Sequence, residues 1–151
     1  MAKGRRQLAA DSWGALLRAH AALVPVLDVR MRENSGLTLA WYDVLLELHA
    51  ATGHRLRMSM LAENVTLSRT RVSRIVDELA AADLVCRENN PEDGRSSFAV
   101  LTPAGKSALK RAAPAYLAAI ESTFARNLDT DELRQLRLLL QKIGVPPETT
   151  Q

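Results

Sequence analysis

A single cysteine, Cys86, stands in a chain of 151 residues. That excludes a disulfide framework and a cysteine-based metal site. Aromatic residues are scarce too, at 4%, so each Trp and Tyr is worth locating. No uninterrupted apolar run reaches the roughly 18 residues that a membrane span needs. The stretch AALVPVLDV is short and is broken by Pro25 and Asp28. The first residues, MAKGRRQLAADSW, carry basic side chains with no apolar segment behind them, and do not read as a secretory signal. A cytoplasmic protein with no membrane partner is the default expectation. His20, His49 and His54 fit no metal spacing, and neither a phosphate-binding loop nor a nucleophile paired with a base is visible. An enzyme is therefore the weakest reading, and no metal or cofactor is expected.

What is present is an ordinary folded composition, 47% hydrophobic and 25% charged. The length suits one domain with a real core. A net charge of +3 permits a polyanionic partner without requiring one, so the placement of the charge has to decide.

The apolar spacing of Leu8, Leu16, Leu17, Leu23, Val24, Leu27 and Met31 predicts a first helix over residues 8–33, bent at Pro25, with Asn34-Ser35-Gly36 ending it. Thr38 caps a second helix running to Ala51, and Thr52–Arg55 reads as a turn. Two short helices follow, over 59–65 and 69–82, joined by a tight turn at Thr66–Ser68, with Ser68 as N-cap of the second. Strands over 84–88 and 97–101 flank the turn NNPEDGRS, whose Asp-Gly pair is a hairpin signal. Thr102-Pro103 starts a long Ala-rich helix to about Asn127, kinked at Pro114. Asp129 and Glu132 have capping-box spacing for a last helix with an apolar stripe of Leu133, Leu136, Leu140 and Ile143, and PPETTQ is a frayed tail. The expected fold is thus mainly α with a small β-hairpin wing. The long outer helices are apolar beyond what so small a core can cover, which suggests pairing with a second chain.

The helix from Arg69 carries the chemistry. On a wheel of roughly 100° per residue, Val72, Ile75, Val76 and Leu79 share one face, and Thr70, Ser73, Arg74 and Asp77 the opposite one. Arg69 and Arg71 lie on the flanks, and no acid occurs between Glu63 and Asp77. Such a helix fits the DNA major groove, where Arg reads guanine bidentately and hydroxyls read several base edges. A solvated amphipathic helix would look similar in isolation; the short helix and tight turn before it argue for a helix-turn-helix. Arg95, at the apex of the hairpin that follows, suits a narrow minor groove with its concentrated negative potential. Asp93 is placed to hold that guanidinium in a bidentate pair, and Gly94 to permit the tight turn.

The segments LAENVTLSRTRVSRIVDELAAADLV, PEDGRSS and VLTPAGKSAL, in this order of helices, resemble the MarR family of winged-helix transcriptional regulators. The resemblance covers nearly the whole chain. It implies a homodimer interlocked through helices in 1–37 and 103–151, with a DNA-binding lobe at 38–102. The implied partner is a palindromic operator in double-stranded DNA, and the implied function is regulation of transcription as a repressor. Its recognition positions fall on Ser68, Arg69, Thr70, Arg71, Ser73 and Arg74. Its wing pattern, Asp-x-Arg-Ser, falls on Asp93, Arg95 and Ser96. Two positions depart from the family pattern: Thr66 occupies a turn site often taken by Gly, and Asp83 stands where Gly commonly closes the recognition helix. Members of the family bind small aromatic or phenolic anions between the dimer layer and the lobes. The candidates here are Trp13, His20, Trp41, Tyr42, Asp43 and Arg57, the alternative being that Trp41 and Tyr42 are simply core. Some members sense oxidants through a Cys near the start of the first helix; none stands there, and Cys86 reads as structural. The competing reading is a non-specific architectural DNA binder.

Overall fold

A computed structural model describes residues 2–65 and 67–144. Thr66 and the tail PPETTQ lie outside the described residues. The elements run α1 (Ala2–Ser35), α2 (Leu39–Ala50), a 3-10 turn (Thr52–His54), β1 (Arg55–Arg57), α3 (Met58–Asn64), α4 (Arg69–Ala81), β2 (Val85–Asn89), β3 (Ser97–Leu101), α5 (Pro103–Ile120), a π-helical turn (Glu121–Ala125) and α6 (Thr130–Gly144). Strand order is β1-β3-β2, antiparallel throughout. No helix among the described residues is long and apolar enough to cross a membrane.

The expected helix starts follow their capping chemistry. Trp41 N donates to Thr38 Oγ1 at 3.0 Å, Arg71 N to Ser68 Oγ at 3.2 Å and Gly105 N to Thr102 Oγ1 at 2.9 Å. Asp129 and Glu132 close the reciprocal box: Glu132 N donates to Asp129 Oδ1 at 2.9 Å and Asp129 N to Glu132 Oε2 at 2.8 Å. Asp83 takes the left-handed conformation, φ 59°, that closes α4. Leu84 N then donates to Leu79 O and Asp83 N to Ala80 O, the paired bonds of a Schellman close.

Three expectations are corrected. The first helix begins at Ala2, because Lys, Arg, Gln and Ala are good helix formers whether or not an apolar stripe is present. Residues 55–57 form a third strand, pairing Leu56 with Ala99 on β3. The fifth helix ends at Ile120 and passes into a π turn, not a plain helix to Asn127. Pro25 and Pro114 both lie inside helices that continue through them.

The core lies among α2, α3, α4 and the sheet. Leu45, Leu48, Leu61, Val72, Val76 and Leu79 are fully buried, joined by Met31 of α1 and by Leu109 and Ala112 of α5. Tyr42 of α2 stacks on Tyr116 of α5, ring centroids 4.2 Å apart. A β-carbon at Gly105 would overlap the Leu84 carbonyl oxygen, so this position lets α5 lie directly on the base of the hairpin. That carbonyl also accepts from Thr102 N.

Candidate nucleic-acid interface

Helix α4 is held from behind and open in front. Val72, Ile75, Val76 and Leu79 are buried. Arg69, Thr70, Arg71 and Arg74 are exposed and Ser73 half-buried. Ser68 stands at the N-cap, its Oγ engaged by Arg71 N. The helix therefore presents hydroxyls and guanidinium groups outward from a rigid seat, as the sequence pattern implied.

The wing corrects one detail. Asp93 Oδ1 accepts from Arg95 N at 3.0 Å, so its contact with Arg95 is to the backbone and not to the guanidinium. A carboxylate two residues before an amide closes an Asx turn more readily than it reaches out along a long side chain. Gly94 does not use the left-handed backbone region and meets open space. What closes the turn is Asn90, 4% exposed. Its Nδ2 donates to Ser96 Oγ at 2.9 Å, its Oδ1 accepts from Glu92 N at 3.1 Å, and its N donates to Ser96 O at 3.1 Å. Arg95 is exposed at the edge of this knot.

Between α1, α2 and α4 lies a cleft of about 730 Å³. Of the sequence candidates it gathers His20, Trp41 and Asp43. It does not gather Trp13, which is exposed farther up α1, nor Tyr42, which turns inward to Tyr116, nor Arg57, which faces Phe98 across the sheet. It adds residues the sequence reading missed. Asp28 pairs with Arg32 at 2.9 Å and accepts from Leu39 N at 2.9 Å. Trp41 Nε1 donates to Glu78 Oε2 at 3.0 Å, which fixes the indole as a wall. Arg71 and Arg74 line the cleft as well, so Arg74 stands at its rim and not only on the outward face. Among the described residues, neither guanidinium is in an ion pair. Burial, reinforced by the Glu47 carboxylate, pushes the Asp43 carboxyl up to about 6. Asp28–Arg32 and Asp43–Glu47 have i,i+4 spacing within one helix, but the bonds Leu39–Asp28 and Trp41–Glu78 join helices distant in sequence and follow from no spacing rule.

Cys86, read from the sequence as structural, is exposed on the outer face of the sheet, opposite Val100. On that face Arg55 lies 4.2 Å over the Phe98 ring.

The sequence model of the MarR family matches residues 35–96. YkoM, an HTH-type transcriptional regulator of Bacillus subtilis, is 31% identical over 101 residues, 67% of this chain and 64% of that protein's length. Rv2887, an HTH-type transcriptional repressor of Mycobacterium tuberculosis, is 31% identical over 133 residues, 87% of each chain. Sco3205, a MarR family transcriptional regulator from Streptomyces coelicolor crystallised in complex with DNA, superposes with a TM-score of 0.80 at 28% identity, covering 92% of this chain and 89% of that one. These relatives are named as regulators of transcription, not as enzymes. A helix-turn-helix with its wing, set between long terminal helices and aligned almost end to end with such relatives, places the chain in the MarR family of transcriptional regulators.

Proposed function

We propose that the protein is a homodimeric, sequence-specific DNA-binding repressor that grips a palindromic operator and is released by a small aromatic or phenolic anion. The observation that carries this reading is α4, buried along Val72, Ile75, Val76 and Leu79 and open along Arg69, Thr70 and Arg74, with Ser73 half-buried beside them. In this reading Arg74 and Ser73 meet base edges, and Ser68, Arg69, Thr70 and Arg71 position the helix on phosphates and flanking edges. Arg95, held out by the Asp93–Ser96 turn, enters the minor groove.

Residues 38–102 form the DNA-binding lobe, and 1–37 and 103–151 the dimerisation segments. Exposed Leu16, Leu17, Leu117 and Phe124, with the leucines of α6, supply the apolar surface that a second copy would cover. The cleft supports ligand control because Arg71 and Arg74 belong to it and to α4 alike. An anion drawing those guanidinium groups inward takes them from DNA.

Selection from a pool of random duplexes, followed by fluorescence-anisotropy titration of the selected and scrambled sites, tests the reading. The expected ratio is about a thousandfold or more. Equal affinities would leave the architectural-binder reading instead. Sedimentation at micromolar concentration giving one species near 16.6 kDa would remove the dimer. A panel of aromatic carboxylates and phenols that left operator affinity unchanged would remove the ligand.

A further inference from the structure

Arg87 lies on β2 and belongs neither to the operator contacts nor to the cleft described above. Its guanidinium reaches across to α4. Nε donates to Asp77 Oδ1 at 2.9 Å. Nη2 donates to the Ser73 carbonyl at 3.0 Å and to Ser73 Oγ at 2.8 Å. All three acceptors are on the recognition helix, so one side chain ties the first wing strand to it.

The bond to Ser73 Oγ has a chemical consequence. A hydroxyl has one proton and two lone pairs. A helical serine commonly turns its proton back on the carbonyl four residues earlier. Ser12, Ser35 and Ser122 do this, toward Leu8, Met31 and Ala118. Ser122 does so while also accepting from Arg30, so an arginine partner does not in itself prevent the back-bond. Ser73 accepts from Arg87, and its proton enters none of the hydrogen bonds among the described residues, which leaves it free for an outside acceptor. Asp77 is affected too. It is 66% exposed on the side chain, and Arg87 offsets the charge it would otherwise present to phosphate.

We infer that Arg87 is a positioning residue that sets Ser73 as a hydrogen-bond donor toward DNA, and so decides which base edges α4 accepts at that position. A donor fits guanine O6 and N7, adenine N7 and thymine O4; it does not fit the amino groups of cytosine or adenine. The inference rests on the reading of α4 as the recognition helix.

The test compares wild type, Arg87→Gln, Arg87→Lys, Ser73→Ala and the double variant Arg87→Gln/Ser73→Ala. Each is taken through duplex selection, anisotropy titration and a thermal melt followed by circular dichroism. Arg87→Gln is expected to lose about tenfold on the selected duplex and at most about twofold on scrambled DNA. Base preference should flatten at one position of each half-site, and Ser73→Ala should flatten the same position. The double variant should be no weaker than Arg87→Gln by more than about twofold, because both changes remove one contact. Arg87→Lys keeps a cation near Asp77 but lacks the planar fork, so it should restore affinity for scrambled DNA and not the base preference. A lowered melting temperature with equal losses on both duplexes and unaltered base preference would make Arg87 merely structural and overturn the inference. Flattening at different positions in Arg87→Gln and Ser73→Ala would also overturn it. If wild type discriminates and Arg87→Gln discriminates equally, the inference alone falls. If wild type itself does not discriminate, the recognition-helix reading falls and takes the inference with it.

Discussion

The lobe and the terminal helices are written in the same alphabet of leucine, alanine and arginine, yet they solve burial in opposite ways. In the lobe, Leu45, Leu48, Leu61 and Leu79 are at 0% exposure within a single chain. In α6, 15 residues long, none is buried, and Ile143 is 70% exposed. Among the side chains described in α1, one is fully buried, Met31, near its C-terminal end, where it meets the lobe. The lobe's core is buried within one chain, so on this division its stability should not depend on concentration. The terminal helices leave an apolar surface whose burial, on the dimer reading, follows mass action. Composition therefore does not separate the two regions; what each helix face meets does.

The sharpest way to expose that difference is a matched pair of truncations. Leu48→Ala should cost about 2–5 kcal/mol in chemical denaturation, by lost burial and a residual cavity, at every protein concentration. Leu139→Ala should cost much less, and by an amount that grows as the protein is diluted. If both changes gave concentration-independent losses, the proposed division between the regions would fail.

Next in size is the introduction of charge. Leu139→Glu together with Ile143→Glu should shift the dimer toward monomer at least tenfold by sedimentation, while the lobe keeps its melting transition. A joint collapse of dimer and lobe would mean that the lobe depends on its partner for folding.

The lobe also has an outward part that its core does not need. Arg95→Ala should make the slope of log affinity against log salt shallower by about one, the amount for one lost cationic contact, and leave the melting temperature alone. Asp93→Ala should lower affinity by a different route, because it frees the turn amide instead of the guanidinium. An unchanged salt slope for Arg95→Ala would leave the tip as a solvated turn.

The smallest effect lies at the seam between the regions. Folded Asp43 holds its proton up to about 6, whereas an unfolded aspartate releases it near pH 4. Between those values the folded state binds more protons, so stability falls as pH rises through the window. Asp43→Asn should therefore stabilise the protein at pH 7.5 by about 1 kcal/mol, a figure reduced for partial exposure. The gain should vanish below about pH 4 in denaturation curves; a gain that persisted there would assign it to packing.

The elements that rest on local chemistry were legible from residues alone. Thr38, Ser68, Thr102 and the Asp129–Glu132 box each announce a helix start, and the apolar spacing of Val72, Ile75, Val76 and Leu79 orients α4. Strand β1 was hidden because three residues with one leucine make no alternation, and its partner Ala99 lies far along the chain. Arg87 was hidden for the same reason: nothing in the order of residues marks its reach to Ser73. The cleft was half visible. His20, Trp41 and Asp43 were candidates because the family resemblance implied a ligand site between the helices, but Glu78, which fixes the Trp41 indole, reads as an ordinary solvated acid on a helix. Asp93 was assigned the wrong group of Arg95 because sequence proximity does not distinguish a backbone amide from the guanidinium at the far end of the same residue.

The knot at Asn90 has a consequence for how this surface can change over generations. All the bonds that close the wing run among Asn90, Glu92, Asp93, Arg95 and Ser96, and those that involve the side chains of Pro91, Glu92 or Arg95 are absent from that set. The tip is thus an exchangeable cassette. On the reading that the wing meets DNA, the side chains of Pro91, Glu92 and Arg95 can change without undoing the turn, provided that Asn90, Asp93 and Ser96 keep the bonds that close it.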